Sequence, residues 1–328
     1  MALSYAIIGT GAIGGYYGAR LQQAGCDVHF LLRSDYEPVR DHGLTVESID
    51  GDFTLPQVNA YNKAQAIPPV DVAIIALKTT RNPLLPELLP ALKPNGAILS
   101  LQNGLDVEAG IVDRLGAQLS LVPTILGGLC FICSNKVGPG HIRHMDYGKL
   151  LLGAHNPENQ PCPPPALLHS ILHSIVEDFT RAKVDTETTE DLPMARWQKL
   201  VWNVPFNGLS VVLNATTQEM MNDENVRSLI TTLMAEVVTA ANTWAQKVSP
   251  ESDRKLPDTI AAQMLTQTET MPPYRTSMKI DYDEGRPLEI EAILHRPMLT
   301  AQSVGVATPA MRLLYQQLSF LNARNIPQ

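Results

Sequence analysis

The hydrophobic positions of this chain change their spacing past its middle. In the first part, apolar residues come in short unbroken runs: Tyr5-Ala6-Ile7-Ile8, Val28-His29-Phe30-Leu31-Leu32, Val70-Asp71-Val72-Ala73-Ile74-Ile75-Ala76-Leu77 and Ala97-Ile98-Leu99-Ser100-Leu101. Stretches of helical spacing separate them, the first from Gly11 to about Ala24. Unbroken runs divided by helices predict a parallel sheet covered on both faces. Leu121 to Leu126 and Leu150-Leu151-Leu152 are expected to extend that sheet. Asn156 to Pro165 is polar and proline-rich and reads as a loop, followed by one more covering helix from Leu167 to Phe179. From about Thr188 the strand runs fade. Val226, Leu229, Ile230, Leu233, Val237 and Ala241 recur at helical spacing, and Asp258 can cap a helix reaching Gln267. Thr308-Pro309 offers an N-cap followed by proline at the first helical position, opening a helix to about Leu321. The predicted fold class is therefore α/β: a parallel-sheet domain over residues 1–187 and a mostly helical domain over 188–328. A chain of 328 residues is long enough for two cores.

Composition narrows the function classes. Hydrophobic residues make up 45% and charged residues 18%, ordinary for a globular protein. The net charge is -8 with no block of like charges, which argues against a nucleic-acid partner, since that would need a basic face. No apolar run approaches the roughly 18 residues of a membrane span. The N-terminus lacks a basic segment and enters a strand almost at once, so no signal peptide is expected. Four cysteines without a secretory signal fit a reducing compartment, and the expected location is cytoplasmic. Cys130 and Cys133 form a C-x-x-C inside Leu129-Cys130-Phe131-Ile132-Cys133, with no second pair. They read as buried structural thiols, and no metal site is expected.

Gly9-Thr10-Gly11-Ala12-Ile13-Gly14 fits G-x-G-x-x-G and lies between the first strand run and the first helix. In that context the first glycine allows a tight turn and the second admits a pyrophosphate. The third lets helix and strand pack closely. The next strand ends in Leu32-Arg33-Ser34, where an NAD site usually carries an acid. A guanidinium at that place forks onto a 2′-phosphate, so NADP(H) is the expected cofactor, with Asp35 close enough to compete. Lys78 ends the third apolar run, and Asn103-Gly104 follows the fourth. Both fall where open α/β sheets bind ligands, although a turn and a solubilising charge would look the same.

Lys199, Asn203 and Asn207 are spaced i, i+4, i+8 among Leu200, Val201, Trp202, Val204, Phe206 and Leu209. On a helix such positions drift only about 40° per step, so one amine and two amides share a face. Pro205 removes a helical hydrogen bond there. The plainer alternative is that Asn207-Gly208 is a helix C-cap and Lys199 a snorkelling surface side chain. Thr276-Ser277-Met278 and Leu288-Glu289-Ile290-Glu291 add further polar groups among apolar neighbours.

Taken together, the glycine motif, Leu77-Lys78, Gln102-Asn103-Gly104, Trp197-Gln198-Lys199-Leu200 with Asn203 and Asn207, and Ser277-Met278 followed by Glu289 resemble the ketopantoate reductase family. The resemblance implies a Rossmann-type domain joined to a helical domain like that of 6-phosphogluconate dehydrogenase relatives. It implies NADPH-dependent reduction of a small 2-oxo acid, 2-dehydropantoate, on the way to coenzyme A. It implies Lys199 as general acid and Asn103 beside nicotinamide and substrate. Asn203, Asn207 and Ser277 would bind substrate polar groups, and Glu289 the substrate hydroxyl. Arg33 matches the 2′-phosphate contact and Lys78 a cofactor-side lysine. The rival readings are a paralogue reducing another 2-oxo acid and a non-catalytic NADP(H) sensor. A homodimer is a possible assembly.

Overall fold

The computed structural model describes residues 3–115, 123–156 and 164–325, so Leu121 and residue 122 of the expected strand, and 157–163 of the expected loop, lie outside the described residues. The chain divides into two compact units, residues 1–102 with 107–192, and residues 103–106 with 193–328.

The first unit is built on one sheet. Its strands are β1 (Ser4–Ile8), β2 (Asp27–Leu31), β3 (Leu44–Ser48), β4 (Phe53–Leu55), β5 (Asn59–Tyr61), β6 (Val70–Ile75), β7 (Leu92–Ser100), β8 (Thr124–Gly138), β9 (His141–Ala154) and β10 (Thr186–Thr189). The order runs β4-β3-β9-β8-β7-β6-β1-β2-β5, with β10 also on β9. The expected runs became β1, β2, β6 and β7. These pair in parallel, β1 taking β2 on one side and β6 on the other. Every residue of β1 is buried, as an unbroken apolar run in a doubly covered strand requires. The sheet as a whole is mixed, because β8 and β9 form a long antiparallel pair. The parallel pairing of β10 with β9, Thr186 opposite Leu150, carries the sheet past the junction expected at 187/188. The units part after Leu192 instead.

Sequence order reverses on either side of β1, which makes the carboxyl ends of β1 and β6 the switch point of an open sheet. The helix Ala12–Gln23 follows β1 and buries Tyr16, Tyr17, Ala19 and Leu21. Helix Pro165–Arg181 covers the sheet through Ile171, Ile175 and Phe179. Cys26, Cys130 and Cys133 are buried and form no disulfide among the described residues, and burial pushes the Cys133 thiol up to about 12, the behaviour of a structural thiol.

The second unit is helical. Helix Leu192–Val212 supplies Trp197, Leu200, Val201, Val204 and Phe206 to its core. Helix Glu224–Val248 adds Ile230, Leu233, Met234 and Val237, and helix Pro309–Asn325 adds Met311, Leu314 and Leu318. Each such side chain contributes roughly 1.5 to 3 kcal/mol on full burial. Helix Ile260–Glu269 has Thr259, not the expected Asp258, at its N-cap, with no side-chain cap hydrogen bond, and helix Ser277–Asp283 and a π-helical turn at Glu291–His295 belong to the same unit. No helix among the described residues is long and apolar enough to cross a membrane.

Candidate active site

The first unit carries the glycine-rich turn between β1 and the helix Ala12–Gln23. Gly9 ends β1 with φ of 100°, and a Cβ there would lie 2.7 Å from the Leu77 backbone nitrogen. Only glycine can both take that conformation and let β1 approach the end of β6. A Cβ on Gly14 would meet the Gly9 carbonyl oxygen at 2.2 Å, so the third glycine is fixed by helix–strand packing. Gly11 differs: a Cβ there would meet nothing within 4 Å. It is the N-cap of Ala12–Gln23, its first turn has neither a side-chain cap nor an acidic residue, and open space faces it. Uncapped N–H groups at a positive dipole end, reached through a glycine, fit a pyrophosphate. Thr10 Oγ1 donates to the Leu31 carbonyl at 3.2 Å and ties this loop to the end of β2.

Beyond β2, Arg33 is exposed, and its guanidinium takes no hydrogen bond or ion pair from another described residue. Asp35 is committed elsewhere: its carboxylate sits 2.5 Å from Lys136 Nζ and accepts from the Gly140 N–H at 3.1 Å and from Ser34 Oγ at 3.0 Å. Burial acts to raise the Asp35 pKa, but these partners outweigh it and hold the carboxyl below its ordinary range. Lys78 caps the short 3-10 turn Thr79–Leu84 after β6. Buried Gln102, past the end of β7, donates from Nε2 to the Leu77 carbonyl at 2.8 Å and to Asn82 Oδ1 at 2.6 Å. It fixes the ends of two strands, a role that sequence reasoning did not assign.

The second unit holds the polar face. Lys199, Asn203 and Asn207 lie on one helix that runs on through Val212, so Asn207-Gly208 is not a C-cap. Lys199 is half-buried, whereas Asn203 and Asn207 are 5% and 3% exposed. The side-chain oxygen of Asn207 is buried and has no hydrogen-bond partner among the described residues. An orphaned amide oxygen costs about 1 to 3 kcal/mol, which a ligand donor would recover. Ser277 is half-buried at the start of its helix. Glu289 is 4% exposed, and its carbonyl accepts from the Ile293 N–H at 3.1 Å as the π-helical turn begins.

Asn103-Gly104 belongs structurally to this second unit. The Leu105 N–H donates to the Ala292 carbonyl at 2.9 Å, and buried Arg196 donates from Nη1 to the Gly104 carbonyl at 3.2 Å. Gly104 has φ of 117°, and a Cβ on it would lie 2.5 Å from the Ala292 Cβ. Asn103 is thereby anchored next to the segment that carries Glu289 and to the helix that carries Lys199. Arg196 was legible only as a charge in an apolar stretch, one turn before Lys199. Asn103, Lys199, Asn203, Asn207, Ser277 and Glu289 therefore all belong to the second unit, while Gly9 to Gly14, Arg33 and Lys78 lie on the first. One amine, one carboxyl and several amide and hydroxyl groups suit a small oxygenated substrate, with the amine able to supply a proton.

Two family models match this chain: "Ketopantoate reductase PanE/ApbA" over residues 5–157 and its C-terminal counterpart over 191–322. A 2-dehydropantoate 2-reductase of Nostoc sp. is 54% identical over 324 residues, covering 98% of this chain and 96% of the relative. The crystal structure of 2-dehydropantoate 2-reductase from Geobacter metallireducens GS-15 superposes with a TM-score of 0.86 at 39% identity, covering 97% of this chain and 99% of the other. A D-mandelate dehydrogenase solved with NADH and anilino(oxo)acetate shares the fold alone, with a TM-score of 0.80 at 18% identity over 98% of this chain and 99% of that one. The chain belongs to the ketopantoate reductase family.

Proposed function

We propose that this protein reduces 2-dehydropantoate to pantoate with NADPH, a step in pantothenate synthesis. The observation that carries the reading is the Asn207 side-chain oxygen, buried without a partner on the helix face it shares with Asn203 and Lys199. The names of the similar reductases from Nostoc and Geobacter support the same substrate. When bound, the nicotinamide cofactor supplies the hydride.

The chain's own residues do the rest. The uncapped first turn of Ala12–Gln23, reached through Gly9, Thr10, Gly11, Ala12, Ile13 and Gly14, would hold the pyrophosphate. The Arg33 guanidinium, unpaired among the described residues, would take the 2′-phosphate, Asp35 being engaged with Lys136, and Lys78 would serve on the cofactor side. Asn103, Asn203, Asn207 and Ser277 orient the keto acid through its polar groups, and Glu289 receives the substrate hydroxyl. Reduction of a keto group needs a proton at its oxygen, and Lys199 Nζ would supply it.

NADPH oxidation with a panel of 2-oxo acids tests the reading. Turnover is expected to be fastest with 2-dehydropantoate. Activity confined to another 2-oxo acid replaces the substrate, and tight NADPH binding without turnover on any acid replaces the reductase with a sensor.

A further inference from the structure

We infer that Thr276 and Ser210 are positioning residues that lock Ser277 and Asn207 into one fixed relation. The inference deepens the reductase reading above and rests on it.

Ser210 and Thr276 are both 0% exposed, and their hydroxyl oxygens lie 2.8 Å apart. Ser210 Oγ is also 3.0 Å from the Asn207 carbonyl, and Thr276 Oγ1 is 3.2 Å from the Lys279 backbone nitrogen. The two ends of this row fix its direction. A carbonyl can only accept, so Ser210 donates its proton to Asn207. A backbone N–H can only donate, so Thr276 Oγ1 accepts from Lys279. Between them, Thr276 O–H therefore donates to Ser210 Oγ. Every hydroxyl in the row is used once as donor and once as acceptor, with no rotamer left free.

The row joins two elements that the sequence separates widely. Thr276 is the N-cap of helix Ser277–Asp283, so its orientation sets where Ser277 starts that helix. Ser210 sits one turn past Asn207 on helix Leu192–Val212. The loop leading to Ser277 is pinned a second time, because Thr217 N–H donates to the Tyr274 carbonyl at 3.1 Å and Tyr274 N–H donates to Thr217 Oγ1 at 3.2 Å. Among the described residues, the Ser277 hydroxyl and the Asn207 side-chain oxygen take no hydrogen bond. The groups that would meet substrate are thus left open while their backbones are held from behind by a satisfied buried network, the arrangement that preorganises a site.

The test is steady-state kinetics of Thr276→Val, with Ser277→Ala and the double variant completing a cycle. Thr276→Val is expected to raise KM for 2-dehydropantoate about tenfold while kcat stays within about threefold and NADPH affinity is unchanged. Thr276→Ser restores the wild-type KM, because it keeps the hydroxyl. In Ser277→Ala the further loss of the Thr276 hydroxyl costs little, since its effect passes through Ser277. Ser210→Ala keeps the N-cap intact and gives the same KM rise, so it decides the matter should Thr276→Val fail to fold. Additive losses, an unchanged KM, or an equal change in NADPH affinity overturn the positioning role in an active enzyme. A wild type that does not turn over 2-dehydropantoate overturns the substrate reading first and this inference with it.

Discussion

Asp35 and Lys136 approach to 2.5 Å, and that ion pair takes Asp35 out of competition for a ribose. By position alone Asp35 is close enough to the end of β2 to act as the acid of an NAD site. Its carboxylate is instead spent on Lys136, Gly140 N–H and Ser34, which secure the turn between β8 and β9. Arg33 is left as an exposed cation beyond the end of β2, and the proposed reading gives it the 2′-phosphate.

Arg33→Ala should therefore weaken NADPH about ten- to a hundredfold, the worth of a charge-assisted contact, and leave NADH nearly unchanged. Dissociation constants for both cofactors check this. An equal loss for the two would make Arg33 a structural residue.

The Asp35 pair has a pH signature. Its folded pKa is depressed below the ordinary 3.8, so its stabilisation is fully present above that value and is lost as pH falls through the lower folded value. Asp35→Asn should be less stable than wild type by about 1 to 2 kcal/mol at neutral pH. The gap should close in acid below 3.8. Urea unfolding at a series of pH values measures it, and a gap that persists unchanged in acid would rule the carboxylate out as its source.

Lys199→Ala should lower kcat by about 10²- to 10⁴-fold, the usual contribution of a placed general acid, with NADPH affinity little changed. Single-turnover rates with saturating cofactor read the effect. Near-normal kcat across pH would remove Lys199 from the chemistry and bring Lys78 forward as donor.

The proposed role of Glu289, receiving the substrate hydroxyl, makes a prediction about selectivity. A site that hydrogen-bonds a substrate hydroxyl discriminates against analogues lacking it, because its own buried groups are left unpaired. The ratio of kcat/KM for 2-dehydropantoate over 2-oxoisovalerate should be at least about a hundredfold, and Glu289→Ala should shrink it. If the wild type handles both acids alike, the pantoate reading fails while the reductase reading survives.

The sequence showed those parts whose cause is local. β1, β2, β6 and the second half of β7 are short apolar runs, and burial on both faces demands that pattern. The shared face of Lys199, Asn203 and Asn207 follows from helical spacing alone. What stayed hidden depends on partners far along the chain. Thr308 was expected to cap the last helix, yet Ala310 and Met311 donate their N–H groups to Glu236 at 2.8 and 2.9 Å, an acid borrowed from another helix. The antiparallel β8–β9 pair and the placing of β3 beside β9 were equally out of reach, since register between distant strands leaves no periodic trace. Arg196 and Thr276 belong to the same class, because their importance lies in which carbonyl or hydroxyl they reach.

The four residues from Asn103 to Asp106 leave the first unit and return to it, so the backbone crosses between units at 102/103, 106/107 and 192/193. A gene cut at residue 192 would not yield two tidy modules. The cofactor half would carry a Gly104 carbonyl and a Leu105 N–H stripped of Arg196 and Ala292, and the other half would lack Asn103. Recombination that exchanged one half for that of a distant relative would have to preserve this stitch as well as the junction. The loop and the Ala292 turn it fastens to are therefore expected to be inherited together.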